Sequence, residues 1–227
     1  MSKLWEYYGS HDPYYGVLSV PEFRTEHMTE EARARFFNSG IEDVNQCIAH
    51  AEAAFGPLTF GTALDYGCGV GRLSRSLSDR FTNVISVDIS ESMLATARAN
   101  LAGRNVRFEN AAQMSDGPTN FILSQMVFQH IEPQVGLSIL PKLAARLHGT
   151  GIIEIPIRDK SGVARRALRS IRGSLKAITR AGQPIIPMYA YDLDAVSRVL
   201  QSAGCRLNIG HFHTEMFENV RVVFHRA

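Results

Sequence analysis

The chain has 227 residues, of which 45% are hydrophobic and 20% charged, and its formal net charge is +2. This length and apolar content suffice for one α/β core and do not require a second. Cys47, Cys68 and Cys205 stand far apart and in no metal-ligand spacing, which excludes a disulfide framework and is typical of a reducing compartment. No apolar run approaches the roughly 20 residues of a membrane span and residues 1–6 lack a signal-peptide core, so a cytoplasmic location is expected.

Residues 1–61 are expected to form a helical segment ahead of the core. Several aromatic residues come first, and two helical patterns follow at about residues 29–38 and 41–54. The aromatic side chains either cover a ligand site or pack the first helices onto the sheet, and two of them, Tyr14 and Tyr15, are candidate substrate contacts. The aromatic residues are Trp5, Tyr7, Tyr8, Tyr14, Tyr15 and Phe23.

A glycine-rich turn opens the core at residues 64–72, which read Leu-Asp-Tyr-Gly-Cys-Gly-Val-Gly-Arg. Residues 62–66 predict a strand that leads into the turn, and the helix after the turn offers free N–H groups at its start. Alternating glycines let the chain turn sharply and let a ligand approach the backbone with no Cβ in the way. A second strand at residues 83–88 completes a βαβ unit with an acid at each strand end.

Two details of this turn argue against a dinucleotide. Arg72 stands where the fingerprint G-x-G-x-x-G needs its third glycine. The carboxylate of Asp65 at the strand tip would repel a pyrophosphate, whereas it suits a cationic or zwitterionic ligand. An NAD-binding oxidoreductase is therefore a weaker interpretation than a protein that binds S-adenosylmethionine (SAM), which carries an ammonium and a sulfonium but no phosphate.

An acid followed by G-x-G-x-G, with a second acid at the end of the next strand, resembles the first two motifs of the class I SAM-dependent methyltransferases. The resemblance is close at residues 62–147 and looser elsewhere. Residues 12–15 (Asp-Pro-Tyr-Tyr) and 129–131 (Gln-His-Ile) are further similar to a subgroup of bacterial methyltransferases of the small-molecule and glycan type. In this family the first segment usually covers the cofactor, so residues 1–61 are expected to act as a lid.

The resemblance implies how SAM would be held, with S-adenosylhomocysteine (SAH) as product. Asp65 and the glycines would hold the methionine end, Asp88 the ribose hydroxyls, and Ile89 or Met93 would pack on adenine. Many members carry an acid for the adenine amino group where residues 110–113 read Asn-Ala-Ala-Gln, so an amide oxygen or a backbone group would serve instead. The expected cofactor-binding residues are Asp65, Tyr66, Gly67, Gly69, Gly71, Arg72, Asp88, Ile89, Met93, Asn110, Ala111, Ala112 and Gln125.

The rest of the chain alternates strands and helices as a doubly wound sheet requires. The fold class is therefore α/β, a mostly parallel seven-stranded sheet that ends in an antiparallel hairpin, with the methyltransferase core at residues 62–227. The further strands are expected near residues 105–109, 120–124, 151–157, 205–212 and 219–225. The helices are expected near residues 72–80, 90–101, 133–147 and 192–203.

Residues 124–133 are expected to lie between cofactor and acceptor, because strand ends on this side of a parallel sheet face the ligand crevice. His130 is the candidate general base, since a hydroxyl acceptor is a poor nucleophile until it loses its proton. The alternative is that His130 only shapes the pocket or bonds a backbone carbonyl. The Asn/Asp-Pro-Pro-aromatic motif of methyltransferases that act on base amines or glutamine amides is missing here. Gln129 and Tyr189 are further candidate substrate contacts.

Glu154 is the one acid in the apolar fifth strand, and a charge there is costly unless it is paired. Pairing with an arginine or histidine is the favoured interpretation, and a place in the crevice is the alternative. The spacing of the remaining histidines and acids establishes no metal site, so a divalent metal has no assigned ligands. The residues that could in principle meet at a metal are His130, Asp159, His211, His213 and Glu215.

Residues 158–180 contain eight basic residues and one acid, a net charge of +7 in a chain of +2. Apolar residues recur there at steps of three and four, which predicts an amphipathic basic helix at 162–180 within a cap insertion at 158–190. Such a helix would attract an anionic acceptor, with Arg158 as a candidate contact, or an anionic membrane surface, or it would simply be solvated. Nucleic acid is not expected, because the rest of the chain is acidic and shows no aromatic-basic interleaving.

Together these features predict a SAM-dependent methyltransferase that methylates a small-molecule hydroxyl, with a sugar or glycan precursor favoured. Two alternatives stay open: N-methylation of a small amine, and a SAM-binding protein without catalysis. The identity of the acceptor and the oligomeric state do not follow from the sequence.

Overall fold

One mixed sheet organises the chain in the computed structural model, which describes residues 2–157, 184–213 and 218–227. Its seven strands lie in the order β3-β2-β1-β4-β5-β7-β6. β1 to β5 run parallel, whereas β7 is antiparallel to both β5 and β6, so the predicted fold class is confirmed. The strands are β1 (Thr62–Tyr66), β2 (Asn83–Asp88), β3 (Val106–Asn110), β4 (Thr119–Ser124), β5 (Leu147–Pro156), β6 (Arg206–His213) and β7 (Glu218–Arg226).

The helices begin where side chains can accept hydrogen bonds from free backbone N–H groups. The hydroxyl of Thr29 accepts from Ala32 N and that of Ser90 from Met93 N, while the carboxylate of Asp192 accepts from two amides. Within the described ranges none of the helices is both long and apolar enough to cross a bilayer. The helices are α1 (Ser2–His11), α2 (Pro13–Val17), α3 (Glu30–Phe55), α4 (Arg72–Ser78), α5 (Glu91–Asn100), α6 (Pro133–Arg146) and α7 (Leu193–Ser202).

The two helices predicted at 29–38 and 41–54 form one continuous helix, α3, of 26 residues. The gap between the two predicted helices contains Gly40, and glycine costs about 1 kcal/mol inside a helix. The structure shows why glycine is tolerated there: a Cβ at Gly40 would lie 2.5 Å from the carbonyl oxygen of Arg72. Close packing of α3 on α4 therefore overrides the local propensity.

Strand β5 begins at Leu147, four residues earlier than predicted from residues 151–157. His148 and Gly149 look like a turn in the sequence, yet they belong to the strand where its pairing with β4 shifts register between Thr119 and Phe121. Gly149 has a φ of 150°, and a Cβ there would collide with the carbonyl oxygen of Asn120. The glycine thus marks an irregularity of the sheet and not its edge.

Apolar side chains cover both faces of the sheet. One core lies under α6 and α7 and includes Leu64 of β1, and a second lies under α3 and α4 and includes Ala63. Because side chains alternate along a strand, Asp65 points to the same face as Ala63, towards α4. A third cluster joins the N-terminal helices to this body through Tyr8, Phe36 and their neighbours. The carboxyl ends of the parallel strands then meet the N-terminal helices at one side of the molecule.

Candidate active site

The turn after β1 has the backbone shape that its glycines predicted. Gly67, Gly69 and Gly71 have φ values of 84°, 53° and 89°, in the left-handed region that favours glycine. The amides of Gly67 and Cys68 both donate to the carbonyl of Val87, at 2.7 and 2.9 Å. This pairing fixes the turn against the end of β2, so the backbone of the turn faces a cavity and not solvent.

A cavity of about 270 Å³ lies at the carboxyl ends of β1, β2 and β4. It is the place where parallel α/β sheets bind ligands. Most of the predicted site residues line it, and residues of α1, α2 and α6 complete its wall. The predicted residues that line the cavity are Asp65, Tyr66, Gly67, Gly69, Arg72, Asp88, Ile89, Met93, Ala111, Gln125 and His130.

Asp65 is buried at the tip of β1, with 1% of its surface exposed. Its carboxylate accepts a hydrogen bond from the hydroxyl of Ser74 at 2.6 Å, and Ser74 in turn accepts from Ser86 at 2.8 Å. Burial raises the pKa of Asp65 to about 6, although the hydrogen bond from Ser74 acts in the opposite direction. The carboxylate is thus hydrogen-bonded to a serine and not to a cation, although the nearby charge of Arg72 also lowers its pKa, and Asp65 lines the cavity.

Asp88 ties the glycine turn to the start of α5. Its two carboxylate oxygens accept from the amides of Gly69 and Ser90, each at 2.9 Å. Burial raises the pKa of Asp88, and these backbone hydrogen bonds counteract the rise. The predicted ribose acid thus also holds the turn in shape, a role that the sequence does not show.

Arg72 is almost fully buried at the first turn of α4, with 2% of its surface exposed. Its Nη1 donates to Asp43 at 2.5 Å and its Nη2 to the side-chain oxygen of Gln125 at 3.0 Å. Its Nε is buried and has no hydrogen-bond partner among the described residues. A buried N–H without a partner is unfavourable, so the Nε of Arg72, a residue that lines the cavity, is a donor that still lacks an acceptor.

Behind the cavity, Gln125 links Arg72 to a buried ion pair. The amide of Gln125 donates to Glu154 at 3.3 Å, and Glu154 also accepts from Nε and Nη2 of Arg221 at 2.9 and 2.5 Å. The favoured interpretation of Glu154, pairing with an arginine, agrees with this contact. Glu154 is not among the described residues that line the cavity.

His130 lines the cavity in the turn after β4. Its Nδ1 lies 2.9 Å from the carbonyl oxygen of Pro187, which can only accept, so Nδ1 carries the hydrogen and Nε2 is the basic nitrogen. The side-chain amide of Gln129 lies 3.0 Å from Nε2. The ring of Trp5 meets the imidazole edge-on at a centroid distance of 5.2 Å. Burial lowers the pKa of His130, so the neutral form dominates at neutral pH.

Tyr14 and Tyr15 lie away from the described cavity wall, contrary to the expectation that they contact substrate. The hydroxyl of Tyr14 donates to Asn100 at 2.8 Å, and the ring of Tyr15 lies under the guanidinium of Arg24 at 3.9 Å. Asp12, ahead of them, accepts from Arg24 at 3.0 Å and from a backbone amide. The Asp-Pro-Tyr-Tyr stretch therefore holds the N-terminal segment together.

Three predicted cofactor residues are also turned from the cavity wall. The side chain of Asn110 accepts from Ala112 N at 3.0 Å and donates to Glu91 at 2.8 Å, so it stabilises the turn after β3. Ala112 lies in that turn, whereas Ala111 alone reaches the cavity. Gly71 instead allows α5 to approach, because a Cβ there would lie 2.8 Å from Leu101.

Gln129 and Tyr189 lie next to His130 and not on the described wall. The amide of Tyr189 donates to the carbonyl of Gln129 at 2.8 Å. Arg158, the basic helix at 162–180, Asp159 and Glu215 fall outside the described residues. Within the described ranges, no group of three or more His, Cys, Asp or Glu side chains is placed to hold a metal ion.

Trp5 was named only among the aromatic residues of the N-terminal segment, and other wall residues, among them Val17, Val135 and Ile139, were not singled out from the sequence. Trp5 and Val17 belong to α1 and α2, far from the glycine turn in sequence, so only the fold brings them there. Met126 has a φ of 58°, the one non-glycine residue of the described chain in that region. Such strain is typical of functional turns, and it has no signature in the sequence.

Residues 63–151 match the family described as "Methyltransferase domain". This stretch contains the glycine turn, Asp65, Asp88 and His130, and it runs from β1 into β5. This match supports the predicted enzyme class, a SAM-dependent methyltransferase, and the solved structures below share the predicted class I fold. No curated protein is similar enough in sequence to match.

Solved methyltransferase structures share the fold. Magnesium protoporphyrin IX methyltransferase of Synechocystis PCC 6803 with bound SAH has 21% identity and a TM-score of 0.63, covering 88% of this chain and 89% of that one. A SAM-dependent methyltransferase of Leishmania major has 16% identity and a TM-score of 0.65, covering 98% and 81%. DhpI in a complex with SAM and HEP has 15% identity and a TM-score of 0.60, covering 99% and 95%. The SAH and SAM bound in the first and third of these structures agree with the predicted cofactor.

Proposed function

We propose that the protein transfers a methyl group from SAM to the hydroxyl of a small molecule, with His130 as general base. The chemistry of the cavity fits the cofactor. The buried carboxylate of Asp65 suits the ammonium of SAM, and the unpartnered Nε of Arg72 suits its carboxylate. The cavity offers no second buried cation among the described lining residues, in keeping with a ligand that has no phosphate.

Each end of the cofactor would meet a different strand end. Asp65, Arg72 and the glycine turn would hold the methionine end, and Asp88 the ribose hydroxyls. Ile89 and Met93, which line the cavity beside Asp88, would pack on adenine. The residues that would close over the cofactor are Trp5 and Val17, which supports the expectation that the N-terminal segment acts as a lid.

The observation that carries the proposal for His130 is the tautomer set by Pro187. With hydrogen on Nδ1, Nε2 keeps its lone pair, which lies 3.0 Å from the side-chain amide nitrogen of Gln129 and could instead accept from an acceptor hydroxyl. When bound, the cofactor supplies a methyl group activated by a positive sulfur. His130 removes the hydroxyl proton, and the walls of the cavity align the oxygen, which together contribute to rate.

Two finer expectations from the sequence remain predictions. A sugar or glycan-precursor hydroxyl was favoured as acceptor, and the basic helix suggested an anionic acceptor or contact with an anionic membrane surface. The predicted basic helix lies outside the described residues. N-methylation and SAM binding without transfer are the competing functions.

The test is release of SAH from panels of hydroxyl and amine acceptors, each with and without Mg²⁺. We expect turnover with at least one hydroxyl acceptor and no requirement for the metal. Turnover with amines alone would establish N-methylation instead. SAM binding seen by calorimetry, with no SAH released from any acceptor, would indicate a binding protein without catalysis.

Asp65 should make SAM binding depend on pH. Its pKa of about 6 means that the carboxylate ionises as the pH rises through that value, so affinity for the cationic cofactor should increase from about pH 5 to 8. Asp65→Asn should weaken SAM roughly 10- to 100-fold at pH 8 and flatten the profile. Calorimetry measures both. A profile of equal steepness in the Asn variant would show that another group is responsible.

For the unliganded protein, the raised pKa of Asp65 predicts that stability falls as the pH rises. A carboxyl whose folded-state pKa is raised contributes stability that is present below its unfolded pKa and is lost as the pH rises through about 6. Bound SAM should therefore raise the free energy of unfolding more at pH 8 than at pH 5. Urea titrations at the two pH values, with and without SAM, give that difference.

A further inference from the structure

The cavity wall around His130 is apolar. Trp5 touches the imidazole ring edge-on, Ile131 follows His130 in the chain, and Met126 of the same turn lines the same cavity as Val135 and Ile139 of α6. Val135 is 45% exposed, so the apolar surface continues to the mouth of the cavity. A ligand that enters here exchanges water for hydrocarbon and an aromatic face.

Most polar side chains of the described wall are bonded to other protein groups or assigned to the cofactor. Asp65 is bonded to Ser74, Asp88 to two backbone amides, and Gln125 to both Arg72 and Glu154. Arg72 is assigned to the cofactor carboxylate, which leaves His130, Tyr66 and Trp5 as the polar side chains that could serve an acceptor, fewer than the hydroxyls of a sugar. A polyol buried against this surface would lose hydrogen bonds to water without replacement, which is unfavourable.

We propose that the acceptor is a planar, apolar molecule whose hydroxyl is phenolic, bound against Trp5 with its oxygen at Nε2 of His130. This inference rests on the proposed function and narrows its substrate class. The amide nitrogen of Gln129 lies 3.0 Å from Nε2, so this amide must turn away before the acceptor O–H can donate to Nε2.

Because His130 is a weak base, we expect the acceptor hydroxyl to be acidic. His130 sits in apolar surroundings that lower its pKa below the ordinary value of 6.5. A phenol ionises near pH 10, as tyrosine does. An aliphatic hydroxyl ionises near the pKa of water, about 15.7, so its proton transfer to the same imidazole is less favourable by about six orders of magnitude.

The step conserves atoms and charge. The phenolic oxygen gives its proton to Nε2 of His130 and forms the new bond to the methyl carbon. The bonding pair of the broken S–CH₃ bond stays on sulfur, so the products are a methyl ether and SAH. The imidazolium of His130 then returns its proton to water.

The chain supplies its own binding reporter, because Trp5 is its single tryptophan. Enzyme saturated with SAH cannot turn over, so a change in Trp5 emission reports acceptor binding alone. Two isomers make a matched pair of probes, since 4-ethylphenol has a phenolic hydroxyl and 2-phenylethanol an aliphatic one. Methyl glucoside represents sugars, and 4-ethylaniline represents amines. Excitation at the red edge of the tryptophan band avoids absorption by the probes.

We expect saturable changes in Trp5 emission with 4-ethylphenol and 2-phenylethanol and none with methyl glucoside. With SAM in place of SAH, 4-ethylphenol should be methylated at least about 100-fold faster than 2-phenylethanol. Trp5→Leu should raise the KM for 4-ethylphenol about fivefold, and Trp5→Phe should restore most of the loss, because an aromatic contact is what matters.

The other outcomes overturn the inference in distinguishable ways. Methylation of methyl glucoside but not of 4-ethylphenol would overturn the acceptor class and leave O-methylation intact. Equal rates with the two isomers would overturn the requirement for an acidic hydroxyl. Methylation of 4-ethylaniline with no hydroxyl methylated would overturn the proposed function as well. No response of Trp5 to either isomer would show that the apolar wall does not bind the acceptor.

Discussion

Replacing His130 by alanine is expected to lower kcat/KM towards hydroxyl acceptors by about 10² to 10⁴, the usual contribution of general base catalysis. The reason is geometric as well as chemical: the carbonyl of Pro187 keeps hydrogen on Nδ1 and leaves Nε2 to take the acceptor proton. SAH release under initial-rate conditions measures the loss. An amine acceptor that arrives deprotonated should lose little rate in the same variant.

The matched control is His130→Asn. Asparagine keeps an N–H donor for the Pro187 carbonyl but has no basic nitrogen, so it separates a positioning role from a base. We expect the Asn variant to be as slow as the Ala variant with hydroxyl acceptors. Near-normal activity of His130→Asn would show that the hydrogen bond to Pro187 is the whole role of the residue.

The pH profile of kcat gives an independent reading of the same group. Burial lowers the pKa of His130 below 6.5, so the base is already unprotonated at neutral pH and kcat should fall only on the acid side of that value. Because SAM is saturating in this measurement, the pH dependence of SAM binding through Asp65 does not affect kcat. The acid limb should disappear in His130→Ala, and a limb that persists there would have to come from another group.

Glu154→Ala is expected to lower the free energy of unfolding by about 3–5 kcal/mol, because it leaves the guanidinium of Arg221 buried without its carboxylate. The side chains of Glu154 and Arg221 are only 9% and 11% exposed, and the pair is joined by two hydrogen bonds. Urea unfolding, followed by circular dichroism, measures the change. For a chain of this size each kcal/mol corresponds to about 2–4 °C in Tm.

Removing both charges should cost far less than removing one. Burial raises the pKa of Glu154 in spite of Arg221, so desolvation outweighs the attraction within the pair. The double variant Glu154→Leu/Arg221→Met is therefore expected within about 1 kcal/mol of the parent. The exposed pair Arg35 and Glu22 supplies the control, since Glu22→Ala should cost less than about 1 kcal/mol. A loss from Glu154→Ala as small as that of Glu22→Ala would contradict the argument.

The parts of the fold with strong local patterns could be predicted from the sequence. β1 and β2 begin and end where their apolar runs and terminal acids indicated, at Thr62–Tyr66 and Asn83–Asp88. The glycine turn between β1 and α4 could be predicted because alternating glycines have few uses other than positive φ. The same pattern predicted three site residues, Asp65, Asp88 and His130. They lie at or just after the carboxyl ends of strands, and the order of the strands in the sheet places these ends close together.

The parts that depend on distant contacts could not be predicted. No pattern near Trp5 indicates that α1 would bring it to His130, and Tyr14 and Tyr15 look equally suited to the site although they pack elsewhere. Asp43 pairs with Arg72 only because α3 continues through Gly40 and lies against α4. These contacts are properties of packing, which a local pattern does not encode.

The contact of α1 with α5 links the N-terminal segment to the folding of the cofactor site. Glu6 accepts from the amide of Ser92 at 3.1 Å and from the hydroxyl of Ser90 at 2.8 Å, and its carboxylate lies at the positive end of α5. When α1 lifts, the first turn of α5 loses this cap and its amides become free to exchange with solvent. The rate of amide hydrogen exchange at Ser92 would therefore report how often α1 detaches from α5, although Glu6 and Ser92 are 86 residues apart in sequence. No label on α1 is needed.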